Sequence, residues 1–414
     1  MQKTEALTNI VILGGGFAGT RAAIDLAKKN PPHTKITLIS NKSYFEYYPG
    51  LYRVVTGASP IEVCVPLEDM VPPSVDIVID TITSIDIANK KIIGAKLGEI
   101  EFSKLVVAIG SETTYFNLPG LDTLSLGFKS TKEALRLKHH IFELFKTHMH
   151  PNQNELTSHF HVVVVGGGPS GIEVAGDLTA FMRTLAKKTG VDPSLVTIDL
   201  IESNPRLAPA LPPEVSEKIL RRLRFLGVNI FLNRRLIKEE VESVYMKDMS
   251  LQTKTVIWTA GTQINQLITD TKGLTFSERK RVVVDEYLRV AGAPDVFIVG
   301  DLAATQYSGL AQTAMYDGSY VANTIARELR GKSLIPYKPK KIAYSIPVGD
   351  NWAALVIGPI RIYGRFAYLM RHAIDFHFFS GILSVRKLIS LFFEGWKYRN
   401  VEYTEEPKVC KLEK

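Results

Sequence analysis

The chain has 414 residues, 45% hydrophobic and 22% charged, which is enough to bury the cores of two or three domains and argues against wholesale disorder. Its net charge is +8, and residues 361–414 hold ten Lys/Arg against six Asp/Glu, so half of the excess sits at the C-terminus and calls for an anionic partner, lipid headgroups or nucleic acid. Only Cys64 and Cys410 occur, with no CxxC pair, so neither a disulfide framework nor a dithiol redox centre is indicated, and both read as structural or incidental, with a reactive thiol at Cys64 as the alternative.

Residues 1–8 are polar and the next apolar run ends in a glycine turn, so no secretory signal is expected. No uncharged apolar stretch is long enough to span a bilayer, and these features favour the cytoplasmic side of a cell. A strand is predicted at Ile10–Leu13, then the spacing G-x-G-x-x-G at Gly14, Gly16 and Gly19, a helix over Thr20–Lys29, a Pro-Pro loop and a strand at Lys35–Ser40. An aromatic stretch (Tyr44, Phe45, Tyr47, Tyr48, Tyr52) follows. Val75–Ile87 and Lys90–Ile93 alternate like hairpin strands, and Leu105–Ile109 reads as a buried strand ending in Gly110. Beyond Pro119-Gly120 a helix is predicted at Ser130–Thr147 and a polar loop at His148–His159. The first pattern then repeats: strand Val162–Val165, glycines at 166, 168 and 171, helix Ile172–Lys188, strand Val196–Ile201. Helix Pro213–Leu226 stops at Gly227, a C-cap. Buried strands at Thr255–Thr259 and Val296–Val299 end in Ala260-Gly261 and Gly300-Asp301, and a helix covers Gln312–Arg330. Strands and a basic, aromatic tail follow Pro336.

In each strand–glycine–helix unit the first glycine makes a tight turn. The second lets backbone approach a pyrophosphate, and the third lets helix and strand pack closely, with the helix N-terminus supplying N–H donors. Two such units in one chain indicate duplicated nucleotide-binding halves and two dinucleotides facing each other, hence electron transfer between them. In the second unit Glu202 ends the strand. A carboxylate there accepts hydrogen bonds from ribose hydroxyls and repels a 2′-phosphate, favouring a dinucleotide without one, while Arg206 pulls the other way because an arginine can bind that phosphate.

On Gly14–Gly19, Tyr48–Gly57, Val107–Gly110, Gly166–Glu173, Trp258–Gly261, Val296–Asp301, Ala311–Ala314 and Trp396–Tyr398, the chain resembles the two-dinucleotide flavoproteins of the glutathione-reductase fold, and within them the type II NADH:quinone oxidoreductases. The resemblance implies an α/β chain with two Rossmann-like domains and a C-terminal amphipathic, membrane-associating region. The implied divisions are 1–125 and 266–335 for FAD, 126–265 for NADH, and 336–414 for the acceptor and membrane side. FAD would be held by Gly14, Gly16, Phe17, Ala18, Gly19, Ser40, Asn41, Arg53, Ala108, Gly110, Asp301 and Gln312. NADH would be held by Gly166, Gly168, Pro169, Gly171, Glu202, Ala260 and Gly261. Glu173, Gln312 and Tyr316 would act in catalysis, and no metal is implied. Glu173 either positions or protonates at the nicotinamide–flavin contact, or is a helix-start glutamate stabilised by the dipole.

The chain departs from the family pattern in two places. Ser40-Asn41 stands where an acidic residue normally binds the FAD ribose, and Glu46 lies too far along to replace it. Tyr316 and Asp317 replace two amides of the acceptor-side helix, where they either meet a quinone carbonyl or form ordinary helix surface. Lys340 is a candidate for a lysine near the acceptor.

Arg361–Asn400 contains seven Lys/Arg, two acids and ten aromatics. Leu388, Ile389, Phe392, Phe393 and Trp396 share a helical face flanked by Arg386, Lys387 and Lys397, the composition of a helix lying in a lipid interface, with a dimerisation or core-covering helix as the alternative. No recognition motif supports nucleic acid. The expected protein is a non-pumping NADH dehydrogenase, peripheral on the cytoplasmic face of the membrane, with a quinone acceptor and, by the resemblance, a homodimer. The alternatives are a sulfide:quinone or a ferredoxin/disulfide-type reductase, and a non-catalytic NADH-sensing flavoprotein.

Overall fold

A computed structural model describes residues 7–146, 158–349 and 351–397. Most of the expected 148–159 loop, Tyr398 and Cys410 lie outside the described residues, as do the side chains of Phe392, Trp396 and Lys397.

β1 (Thr8–Leu13) runs through the first glycine turn into α1 (Phe17–Lys29), followed by β2 (Thr34–Ser40), β3 (Val75–Ile79) and β4 (Lys104–Val107). The second unit comprises α2 (Thr131–Lys146), β5 (His161–Val165), α3 (Pro169–Thr189), β6 (Thr197–Ile201), α4 (Pro213–Leu226), β7 (Val228–Phe231) and β8 (Thr255–Trp258). Then come β9 (Ala293–Ile298) and α5 (Ala311–Glu328). A three-stranded antiparallel sheet of β10 (Tyr344–Pro347), β11 (Ala353–Ile357) and β12 (Ile360–Gly364) precedes α6 (Arg365–Ser380) and α7 (Val385–Lys397).

The first sheet runs β9–β4–β1–β2–β3, all parallel, with Arg289–Val290 antiparallel outside β9. The second runs β8–β5–β6–β7, also parallel, with Leu126–Gly127 outside β8. β9 returns to the first sheet after the whole second unit, so that sheet is assembled from distant parts of the chain. Parallel strands buried on both faces need apolar residues at every position. Ile10 and Ile12 join the core cluster on one face of β1, and Val11 and Leu13 join the cluster on the other. α1 and α5 pack backbone to backbone: a Cβ on Gly318 would lie 2.2 Å from the Ala18 carbonyl oxygen.

Three expectations are corrected. The helices start at Phe17 and Pro169, inside the glycine motifs, because the third glycine of each lies in the first helical turn. Val75–Ile87 is not one arm of a hairpin. Asp80 breaks it, donating its N–H to Ser40 O (2.9 Å) and accepting from the N–H groups of Lys96 and Leu97. Val75–Ile79 therefore extends the parallel sheet, while Ile82–Asp86 pairs with Lys91–Gly94. The single apolar face expected in the tail is split, because Leu388 is buried in the main core whereas Val385, Ile389 and Phe393 are exposed. Likewise α6 buries Ala367, Arg371, Asp375 and Phe379 and exposes Phe366, Leu369 and Phe376. Among the described residues no helix is long and apolar enough to cross a membrane.

Candidate functional site

The two glycine turns are stereochemical copies. Gly14 and Gly166 have φ of 106° and 113°, in the region that favours glycine. Their N–H groups donate to Ile39 O and Ile201 O, the neighbouring strands' ends, at 2.7 and 2.8 Å. A Cβ on Gly19 or Gly171 would lie 1.9 or 1.8 Å from the carbonyl oxygen of Gly14 or Gly166, so any side chain there forces helix and strand apart. Gly16 and Gly168, by contrast, face open space, with no atom within 4 Å of where a Cβ would stand. They are also the N-caps of α1 and α3 and supply no side-chain cap, leaving the first N–H groups of each helix, including those at Phe17 and Ala18, for an outside acceptor. These cradles fit the pyrophosphates of two dinucleotides. The Phe17 ring itself packs among Phe45, Tyr47, Tyr48 and Phe378.

Around the second cradle Glu202 is buried and accepts from Gly167 N at 2.6 Å and from Asn204 N at 2.7 Å. It thus braces the turn. Arg206 donates to Leu211 O, Ser216 Oγ and Pro209 O. Its guanidinium is held by the loop before α4 and by Ser216 of α4 itself. Thr259 Oγ1 donates to Val165 O at 2.8 Å, holding the Thr259-Ala260-Gly261 corner against the cradle.

Around the first cradle, Ser40 is buried with Oγ accepting from Lys42 N, Asn41 is exposed, and Glu46 accepts from Thr131 N (2.9 Å) and Lys42 Nζ (2.9 Å). Glu46 anchors the start of α2. Cys64, buried against Thr131 Oγ1, is packing rather than an exposed thiol.

Asp301 follows β9 and accepts from Ser111 Oγ at 2.5 Å. Lys129 Nζ donates to the same hydroxyl at 2.7 Å, and its ammonium is held below its ordinary pKa by burial despite the pull of Asp301. Neither Ser111 nor Lys129 was singled out from the sequence, although Ser111 directly follows the Gly110 turn. Asp317 is not helix surface. It is fully buried, takes the Gly300 N–H at 3.0 Å and the Tyr337 hydroxyl at 2.7 Å, and so fixes the Gly-Asp turn. Burial pushes its carboxyl up to about 6. Gln312 exchanges two hydrogen bonds with the Ala343 backbone. A cavity of about 120 Å³ opens beside it, lined by Gln312, Thr313, Tyr316, Lys340, Lys341 and Ile342, with Lys340 Nζ 4.3 Å from the centre of the Tyr316 ring. Among the described residues Thr313 Oγ1 is buried without a partner, and α5 starts with no side-chain cap, as α1 and α3 do.

Glu173, in the second turn of α3, is buried and carries no hydrogen bond or ion pair among the described residues. Burial raises its carboxyl to about 8, against the pull of Arg371. Behind it lies an ionic cluster that sequence reading missed. Asp375 of α6 takes Arg53 Nη1 at 2.9 Å, Arg371 Nη1 at 3.0 Å and the Tyr47 hydroxyl at 2.5 Å, and Arg371 Nη2 donates to Pro49 O at 2.8 Å. Arg53 is therefore committed to α6. The visible signal was the opposite-charge pair four residues apart in a segment read for its aromatics. Tyr48 sits against Phe17 and keeps 43% of its surface exposed. Burial and the nearby Glu46 and Asp301 carboxylates push its phenol well above its usual range.

The family model for pyridine nucleotide-disulphide oxidoreductases matches residues 8–318. Type II NADH:quinone oxidoreductase Ndh of Mycobacterium tuberculosis is 28% identical over 389 residues, spanning 87% of this chain and 82% of its own. Among solved structures, NDH2 from Plasmodium falciparum in complex with NADH superposes with a TM-score of 0.84 over 97% of this chain and 99% of its own, at 18% identity. The sulfide:quinone oxidoreductase of Aquifex aeolicus gives 0.75 over 91% of each chain at 20% identity. These two likenesses establish the fold.

Proposed function

The chain belongs to the pyridine nucleotide-disulphide oxidoreductase family, and on that premise we propose that it is an FAD-dependent NADH dehydrogenase that passes hydride from NADH to FAD and then two electrons to a quinone. The observation that carries this reading is the pair of matched glycine cradles, with Glu173 of α3 buried near the second and without a hydrogen bond or ion pair among the described residues. The bound flavin, through its ring, supplies the two-electron chemistry. The protein's part is placement. The α1 N-terminus with Gly16, and Asp301 fixed by Ser111 and Asp317, would hold FAD. The α3 N-terminus and Glu202 would hold NADH, and the committed Arg206 supports NADH over NADPH. Glu173 would keep or release a proton at the junction of the two sites. The cavity beside Gln312, Tyr316 and Lys340 supports an acceptor route there.

A sulfide:quinone reductase would need at least a cysteine pair, and Cys64 is buried on Thr131. The outward apolar stripe Phe366, Leu369 and Phe376 on α6, with Val385, Ile389 and Phe393 on α7 and the exposed Arg365, Arg386 and Lys387, supports a lipid surface as partner on the acceptor side. Type II enzymes of this kind would sit peripherally on the cytoplasmic face, as homodimers.

The test is an anaerobic titration. The purified protein is expected to be yellow, to bleach with NADH and to recover its colour with a soluble quinone. A colourless protein that binds NADH without turnover would leave only a nucleotide sensor.

A further inference from the structure

We propose that Phe116 is a stacking platform for the nicotinamide half of the dinucleotide in the second cleft, an assignment that rests on reading that cleft as the NADH site. The two nucleotide units are joined by a short antiparallel ribbon, Ser111–Thr113 against Thr262–Ile264, and Phe116 lies three residues beyond its first strand. Phe116 and Asn117 both adopt left-handed backbone, with φ of 51° and 55°. For a bulky aromatic this conformation is an outlier that surrounding structure must enforce, and such outliers cluster at functional sites. The enforcement is visible: Thr114 O takes the indole N–H of Trp258 at 2.8 Å, and Phe116 N donates to Thr114 Oγ1 at 3.2 Å.

The effect is to hold the ring out of the core, with 58% of the residue exposed. It lies over Gly261, where a Cβ would come 2.4 Å from Phe116 Cζ, and its edge meets Trp258 with ring centres 6.3 Å apart. Gly261 is thus a glycine both for its φ of 81° and for the room it leaves the ring.

Strand order says which half of a dinucleotide meets this ring. The cradle rises from β5, which lies between β8 and β6. Glu202, at the β6 end, binds Gly167 on one side of the cradle. Thr259, at the β8 end, closes on Gly166 from the other, its Oγ1 being 2.7 Å from where a Cβ on Gly166 would stand. A dinucleotide lying across the strand ends with its adenosine ribose at Glu202 and its pyrophosphate on α3 carries its nicotinamide half toward β8, and there the Phe116 ring waits with a free apolar face.

The experiment compares Phe116→Ala, Phe116→Gly and Phe116→Trp in the full chain. Glycine keeps the left-handed backbone and removes the ring, while tryptophan keeps a stacking surface. The KM for NADH is expected to rise about tenfold in the alanine and glycine variants and to stay within about twofold of wild type in the tryptophan variant. The inhibition constant of ADP, which fills only the Glu202 side, should not move in any of them. An unchanged NADH KM in both ringless variants overturns the proposal. So does a parallel weakening of ADP, which would make Phe116 a support of the cradle. If wild-type protein fails to use or bind NADH, the reading of the second cleft falls, and the assignment of Phe116 falls with it.

Discussion

Replacing Glu173 with glutamine separates the proton from the shape of the side chain. Burial raises this carboxyl from 4.5 to about 8, so between those values the folded protein holds a proton that the unfolded chain has released. Stability from this group is therefore fully present below pH 4.5 and is lost as pH rises toward 8, at about 1.4 kcal/mol for each pH unit. Across the whole window the loss is on the order of 5 kcal/mol. Glutamine carries no titrating proton, so Glu173→Gln should match the wild type in acid and become the more stable protein by several kcal/mol at pH 8 and above. Denaturation midpoints of both proteins, measured at pH steps from 5 to 9, give the gap directly. A gap that does not grow with pH would refute the reasoning, because the carboxyl would then ionise in its buried place. The same variant should cost activity: a group that donates or accepts a proton in the transition state contributes about 100-fold or more. That loss should appear in reduction of the acceptor, with the NADH half-reaction largely intact.

Three further outcomes are expected. Asp375→Asn leaves Arg53 and Arg371 facing each other without a carboxylate and should destabilise the fold by about 3–5 kcal/mol, read as a lowered melting temperature; a change below about 1 kcal/mol would mean that water already screens the cluster. Glu202→Gln keeps an oxygen for the Gly167 N–H while removing the charge, so the NADPH to NADH ratio of kcat/KM should rise about tenfold or more, and an unchanged ratio assigns ribose reading to another group. Phe366→Ser, Leu369→Ser, Ile389→Ser and Phe393→Ser combined should abolish co-sedimentation with anionic phospholipid vesicles and leave NADH oxidation by a soluble quinone intact. Undiminished vesicle binding would exclude that face. Truncation at residue 361 cannot serve instead, because it removes Asp375 and Phe378 from the core.

Local chemistry was legible wherever a residue's function depends on its immediate neighbours. Gly14, Gly19, Gly166 and Gly171 could be read from spacing because the constraint on each is set by the turn and helix start around it. Gly227 was legible as a C-cap for the same reason, with φ of 87° in the structure. The Val75–Ile87 stretch misled because alternation along a strand does not reveal a break where Asp80 captures backbone N–H groups sixteen and seventeen residues away. For Asp317 the sequence leaves both an acceptor contact and ordinary helix surface open, since nothing near it announces that Gly300 and Tyr337 will close on it.

The sequence by itself determined the two nucleotide units, their order and the absence of a cysteine pair, since strand, turn and helix starts are local and carry their own steric signatures. Tertiary structure alone decided how the units are completed. β9 returns to the first sheet across the whole second unit, and α6, read from composition as lipid-facing, turns Arg371 and Asp375 inward to Arg53 and Tyr47 while presenting its other side outward. It also tied Arg206 to the loop before α4 and left Glu173 buried without a partner among the described residues. The physical reason is the same in each case: the charge state and availability of a side chain depend on which distant groups pack around it, and that is set by the assembled fold.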